Sequence, residues 1–391
     1  MKQPINRRRF LKEAAGALTI LVAGGAVWRA SDQGVFSTGQ GPAYEPWRTW
    51  QSDASNGVLS LVRAAILASS PHNSQPWRFI VSASQIDLYA DQSRNIGAID
   101  PLLREMHVGL GCALENLLLA ASASGYKYKL SLLPNPNDLT HMARVRLTVG
   151  EAQPNALYDA IAQRHTNRGR YDTTREVSSE TLQSISSLRV GLPNVTVHWF
   201  SSAAQRERLG SLIVEATAAI IADAEQSADS AKWLRHDWQD LQGARDGVTL
   251  DAQGLSPLVL TAAKMLPALS QQQNDNAWLQ ITKDIQVGTA AAFGIIAVPN
   301  PRAPLERLRG GQFWQRMQLW ATTQGLAMQP LNQVAERVDR EASQNLEPRF
   351  TRALVELMEG TSTAALMPFR IGYPLTPALP SPRRSVEAVV I

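Results

Sequence analysis

Two glycine-bounded segments, Gly111–Gly125 and Gly311–Gly325, repeat one another along the chain. Each covers the same fourteen-residue step, with Leu119 matching Leu319, Ala121 matching Ala321, Glu115 aligned with Gln315 and Leu117 with Met317. Residues 110–124 and 313–323 read as helices buried on most sides, because their apolar residues do not keep to one stripe. A closing glycine suits a left-handed helix C-cap. The pair points to a duplicated unit of about 150 residues, and a chain of 391 residues has room for it.

The surrounding pattern is mixed. Val58, Leu61, Val62, Ala65 and Ile66 fall at helical spacing. Residues 77–81 and 86–89 read as two paired strands, and further strand candidates recur at 144–149, 195–200, 294–298 and 369–373. Helices and strands interleave without regular alternation, which favours an α+β class. With 44% hydrophobic and 18% charged residues the composition is globular. A single cysteine excludes an internal disulfide framework and a cysteine-rich metal site.

The net charge of +4 belongs to the N-terminus. Residues 1–30 hold six basic residues against Glu13, which leaves the remaining chain at −1 and argues against a nucleic-acid-binding face. Arg7-Arg8-Arg9-Phe10-Leu11-Lys12 precedes a short apolar stretch from Ala14 to Trp28, a signal-type layout. The run R-R-x-F-L-K resembles the twin-arginine export motif, with Asn6 where Ser is usual. The expectation is an exported, periplasmic protein that meets the twin-arginine translocase. Neither Ala26-Val27-Trp28 nor Trp28-Arg29-Ala30 makes a good small-x-small cleavage site, so retention as a membrane anchor stays open. An amphipathic surface helix with a basic end is the competing reading. Residues 31–50, with three glycines and two prolines, read as a flexible linker.

Two blocks could carry chemistry. Ser70-Pro71-His72-Asn73-Ser74-Gln75-Pro76-Trp77 enters a strand between stiffening prolines, and the amides of Asn73 and Gln75 each offer a donor and an acceptor to a heterocycle or polyol. An ordinary helix-to-strand turn has the same composition. Arg164-His165-Thr166-Asn167-Arg168 places two guanidiniums four residues apart, able to converge on one phosphate, with Thr166 between them. A solvated basic patch would look alike. Arg383-Arg384 follows a proline-rich tail of the kind more often disordered than functional.

At these residues the chain resembles the FMN-dependent nitroreductase superfamily. S-x-x-N-x-Q-P-W, then R-H-[ST]-x-[RK], then a C-terminal P-x-R segment follow its order of flavin-binding elements. With Leu326-Ala327-Met328-Gln329-Pro330-Leu331-Asn332-Gln333 after the second glycine-bounded helix, the chain is most similar to the fused, Acg-like branch, over about residues 55–391. Each motif occurs once, the first in one half and the second in the other. The resemblance therefore implies a nitroreductase-like α+β fold duplicated into an intramolecular pseudo-dimer, monomeric, with one FMN. It implies that Arg164, Thr166, Arg168 and Arg383 hold the phosphate. Ser70, Asn73 and Gln75 would approach the flavin from the first half, and Gln329, Pro330 and Asn332 would lie near the ring. The implied donor is NAD(P)H and the implied acceptor a small oxidised molecule such as a nitro compound or quinone. No acid–base residue is assigned, since the flavin carries the chemistry.

The expected organisation is a signal at 1–30, a linker at 31–50, a first half at 51–152 and a second at 153–391, with a candidate lid at 232–247. That segment combines polar residues with Trp233 and Trp238, and an exposed helix with two packed tryptophans competes with the lid. An FMN-sequestering protein without turnover is the alternative function. No H-E-x-x-H, G-x-S-x-G or phosphate-loop motif occurs, and no zinc site is expected. Gly109-Leu110-Gly111 lacks the third glycine of a dinucleotide fingerprint, Cys112 reads as inert packing, and His165 as an orienting or packing histidine.

Overall fold

Two four-stranded antiparallel sheets of the same topology organise the computed structural model, which describes residues 25–51, 57–358 and 360–391. The first comprises β1 (Trp77–Ser82), β2 (Gln85–Ala90), β3 (Tyr126–Leu132) and β4 (His141–Val149), ordered β1-β2-β4-β3. The second comprises β5 (Thr196–Phe200), β6 (Ala292–Val298), β7 (Ala327–Pro330) and β8 (Ala364–Gly372), ordered β5-β6-β8-β7. Five helices frame the site: α1 (Arg104–Ala123), α2 (Pro257–Met265), α3 (Gln271–Ile281), α4 (Pro304–Thr323) and α5 (Gln333–Gln344). α1 lies between β2 and β3, and α4 between β6 and β7, so the unit strand–strand–helix–strand–strand occurs twice. The fold is α+β and internally duplicated. The twin-arginine-like run falls within residues 1–24, outside the described residues.

The two helices meet at their centres. A Cβ on Gly111 would collide with Leu308 O and the Gly311 Cα, and one on Gly311 with Val108 O and the Gly111 Cα. The contact is reciprocal, as a two-fold relation requires. Both helices then end before a glycine with positive φ, Gly125 at 80° and Gly325 at 67°. Their interface is more polar than apolar helices would make it. Gln312 Nε2 donates to Glu115 Oε2 at 3.0 Å, Gln315 Nε2 to Asn116 Oδ1 at 2.8 Å, and Arg316 pairs with Glu115. These buried groups satisfy one another, which is what makes a polar seam tolerable.

β6 shows why the second sheet is sandwiched. It is buried throughout, with Ala292, Ile296 and Val298 in the core shared with α1 and α4 and Phe293, Ile295 and Ala297 in a second core against the helix Ala203–Ala222. Alternate residues face alternate layers, the period of a strand.

Both chain ends differ from expectation. Residues 31–50 are not a loose linker: the helix Glu45–Thr49 and its neighbours bury Tyr44, Trp47 and Trp50 in the main core. Three aromatic side chains supply the apolar area that a linker lacks. The tail is ordered too. Phe79 N donates to Val389 O at 2.8 Å and Ile391 N to Phe79 O at 2.9 Å, so the last residues of the second half extend along β1 of the first.

Candidate functional site

The loop before β1 is held in an unusual backbone shape. His72, Asn73 and Gln75 take φ of 45°, 55° and 53°, a left-handed region costly for residues with a Cβ. Ser70 Oγ accepts from Gln75 N at 3.0 Å and closes the loop. Asn73 Nδ2 donates to Gly247 O at 3.2 Å and Pro382 O at 2.9 Å, and its Oδ1 accepts from Arg383 at 2.5 Å. Gln75 Nε2 donates to Arg245 O at 2.9 Å and its Oε1 accepts from Arg384 N at 2.8 Å. These two amides therefore bind the loop to the 232–247 segment and to the tail.

Beside this loop, where the halves meet, lies a cavity of about 650 Å³. Ser70, Pro71, His72, Gly109 and Cys112 face it from the first half; Thr166, Arg168, Gln329, Pro330 and Asn332 face it from the second. Of the ten residues assigned from sequence, it gathers Ser70, Thr166, Arg168, Gln329, Pro330 and Asn332. Asn73, Gln75, Arg164 and Arg383 are not among its lining residues.

Arg164 and Arg383 sit close behind that wall. Arg164 donates to Leu67 O and Gln318 Oε1 at 3.1 and 3.2 Å; Arg383 donates to Ala68 O at 3.1 Å and to Leu67 O at 3.4 Å. The Arg383 guanidinium lies over the Trp47 ring at 4.6 Å, and His165 packs edge-on against the same ring. Both arginines are buried, and the Nε of each lacks a hydrogen-bond partner. Burial pulls Arg164 down to about 10 and moves Arg383 in the same direction, with the Arg164 cation adding to the cost at Arg383. Arg168 donates to Ala252 O at 3.2 Å and is lowered to about 10 by burial. Among the described residues none of these three guanidiniums forms an ion pair with a carboxylate. Positive charge is collected here without a counter-ion from the protein.

Two groups on the cavity wall, His72 and Cys112, are neutral near pH 7. Burial lowers His72 to about 4, and its Nε2 lies 3.1 Å from Ser230 Oγ. Burial raises the Cys112 thiol to about 12, and its Sγ donates to Gly311 O at 3.3 Å, in keeping with a packing cysteine. His165 is lowered to about 3, by burial first and then by Arg164 and Arg383.

The candidate lid at 232–247 supplies only part of the cavity lining. That segment brings Leu234, Arg235 and His236 to the cavity, while Trp238 stacks on Tyr44 with ring centroids 6.2 Å apart. More of the lining comes from residues 248–281, including Leu250, Val259 and Leu266, with Trp278 on α3. The spacing along α2 and its C-cap could have revealed this face, since Val259, Ala262, Ala263 and Leu266 recur at helical intervals and all line the cavity. Glu105 and Gln333 also face the cavity, as does Glu336, without a signal in the local pattern.

No family model matches the chain. It is 26% identical over 360 residues, 90% of its length and 95% of theirs, to proteins of two Mycobacterium tuberculosis strains named "Putative NAD(P)H nitroreductase". It is 35% identical over 114 residues to the M. tuberculosis protein named "Putative NAD(P)H nitroreductase acg", covering 28% of this chain and 34% of that one. Among solved structures it is similar to an FMN and NADPH-dependent nitroreductase NfnB from a "sphigopyxis" strain, with a TM-score of 0.38, 16% identity, and coverage of 60% of this chain and 97% of that one.

Proposed function

We propose that this chain is an FMN-dependent oxidoreductase of the nitroreductase type, with one flavin site built from both halves. The observation that carries the reading is the cavity itself. It lies between the halves, carries Arg168 without an anionic partner, and has Arg164 and Arg383 buried behind its wall in the same uncompensated state. A phosphate ester supplies the missing negative charge. The Asn332 Oδ1 atom, buried without a partner on a residue of the same cavity, fits the donor edge of a heterocycle. The residues present therefore fit FMN.

In this reading Arg168 and Thr166 hold the phosphate end directly. Arg164 and Arg383 join them by turning from Leu67 O, which their unpartnered Nε–H groups favour. Ser70 and the backbone of Gln329 and Pro330 fix the ring. Bound FMN supplies reversible transfer of two electrons between NAD(P)H and a small acceptor. The apolar lining from Leu250, Val259, Leu266 and Trp278 suits an apolar acceptor such as a nitroaromatic or a quinone. Similarity over nearly the full length to proteins named as NAD(P)H nitroreductases supports the donor.

Export by the twin-arginine route belongs to the proposal and rests on Arg7-Arg8-Arg9-Phe10-Leu11-Lys12. Replacing Arg7 and Arg8 by Lys should leave the protein in the cytoplasm; unchanged export would remove that part of the reading. The extent of the apolar lining favours a second reading, in which the chain shields FMN without turnover. Anaerobic NADH or NADPH decides between them. Rapid bleaching of bound flavin, followed by recovery of its absorbance on adding menadione or a nitroaromatic, supports the enzyme. A flavin that neither reductant bleaches supports the store.

A further inference from the structure

A second group of charges also reaches the cavity, with the opposite imbalance. Glu105 at the start of α1 and Glu336 on α5 both face the cavity and are both buried, at 5% and 6% exposure. Arg104 ties the two helices together beside them, reaching Glu105 and Asp339. Two carboxyl groups buried in one another's field favour keeping a proton on one of them. The charges around them add to that preference. Asp100 accepts from the amides of Glu105 and Met106 at 3.0 and 2.9 Å; Asp339, from Glu336's own helix, takes Arg104 Nε at 2.6 Å. Arg104 Nη2 reaches Glu105 Oε1 at 3.3 Å, and Arg307 approaches from α4. Four acids thus face two guanidiniums, and His107, next to Arg307, is neutral because burial lowers it to about 4. Burial and the neighbouring Glu105 hold the Glu336 carboxyl well above the usual carboxylate range, and burial with Glu105 raises Asp100 to about 7.

An independent feature points from this pair into the cavity. Gln333, one helical turn before Glu336 and on the same face of α5, lines the cavity, is 6% exposed, and has an Oε1 atom with no partner. An unpaired buried acceptor beside a protonated acid is a place prepared for a polar atom of a bound molecule.

We propose that Glu336 is the proton donor to the acceptor substrate, with Glu105 as its positioning partner. The proposal rests on the flavin reading above. Conversion of a quinone to a hydroquinone takes a hydride equivalent, drawn from NAD(P)H, and one further proton. In that step the Glu336 O–H bond breaks as a bond from its proton to the quinone oxygen forms. The electron pair of the broken bond stays on Glu336, whose carboxylate is stabilised by Arg104 alongside Glu105 and Asp339. Water reprotonates it afterwards. The sum is NAD(P)H, quinone and one proton giving NAD(P)+ and hydroquinone. A general acid at this position accelerates proton transfer by about 100-fold or more.

Two measurements test the assignment. Infrared spectra of the wild-type protein at pH 7, in water and in deuterium oxide, should contain a protonated-carboxyl band that E336Q lacks; a spectrum without it overturns the proposal whether or not flavin is bound. In flavin-loaded E336Q, anaerobic reduction by NADPH should keep its rate while reoxidation by benzoquinone slows about 100-fold and loses its pH dependence. Should E336Q not fold, E105Q should move the pH midpoint of reoxidation lower by removing the like charge. Unchanged reoxidation rates and pH profiles in these variants would overturn the role of Glu336, while failure to bind FMN at all would instead defeat the reading beneath it.

Discussion

Gly111 and Gly311 touch at the crossing of two helices that occupy equivalent places in the two halves, each standing where the other's Cβ would need to be, with 2.9 Å from either ideal Cβ to the opposite Cα. An exposed helical glycine gains about 1 kcal/mol on replacement by alanine. Here the sign should reverse. G111A and G311A each force the helices apart and should destabilise the protein by about 1–3 kcal/mol. Because the two sites share one contact, the double variant should cost less than the sum of the singles. Urea denaturation of the four proteins checks both statements.

Arg164 and Arg383 should trade stability for binding. Each is a buried cation without a carboxylate, so R164M should leave the flavin-free protein at least as stable as wild type, while R383M also loses the bond to Asn73 Oδ1 and should be less stable than R164M. Charge-assisted bonds to phosphate contribute about 1.5–3 kcal/mol each, so FMN affinity should fall roughly 10- to 150-fold in either variant. Thermal melts and flavin titrations on the same preparations measure the two quantities. Equal losses in both would make these arginines structural.

Acid should act on the flavin-free fold through His165. Its ordinary value is 6.5 and the folded value about 3, so across that interval the unfolded chain holds a proton that the folded chain does not. Its contribution to stability is complete above pH 6.5 and falls as pH drops, by about 1.4 kcal/mol per pH unit down to the folded value. H165Q should remove that part of the slope, measured as denaturation midpoints from pH 4 to 7.

Asn73 ties three parts of the chain together through Gly247, Pro382 and Arg383. N73A leaves those buried groups short of a partner and should cost about 1–3 kcal/mol. Proteolysis should then cut the 232–247 segment or the tail faster than in wild type.

Much of this architecture could be read from the chain, and the misses have physical causes. The repeat at Gly111 and Gly311 gave the duplication because a close helix crossing admits no side chain. The hairpin of β1 and β2 was visible through its alternation. β3 was overlooked although Tyr126, Tyr128 and Leu130 alternate with lysine and serine; β7 has four residues ending in Pro330 and carries no period. Residues 31–50 looked loose by glycine and proline content, but Tyr44, Trp47 and Trp50 outweigh it by burial. At the site, the motifs located six cavity residues. They did not show that Asn73 and Gln75 spend their amides on backbone groups, because hydrogen-bond partners far along the chain leave no local trace. Glu336 was invisible for a similar reason, since its partner Glu105 belongs to the other half.

The account's central claim is one flavin site assembled from two halves. Titrating flavin-free protein with FMN, followed by quenching of flavin fluorescence, tests it most directly. The account predicts saturation at one FMN per chain, and weaker binding in R168A, which alters an arginine that faces the cavity. Saturation at two FMN per chain, or no quenching at all, would contradict it.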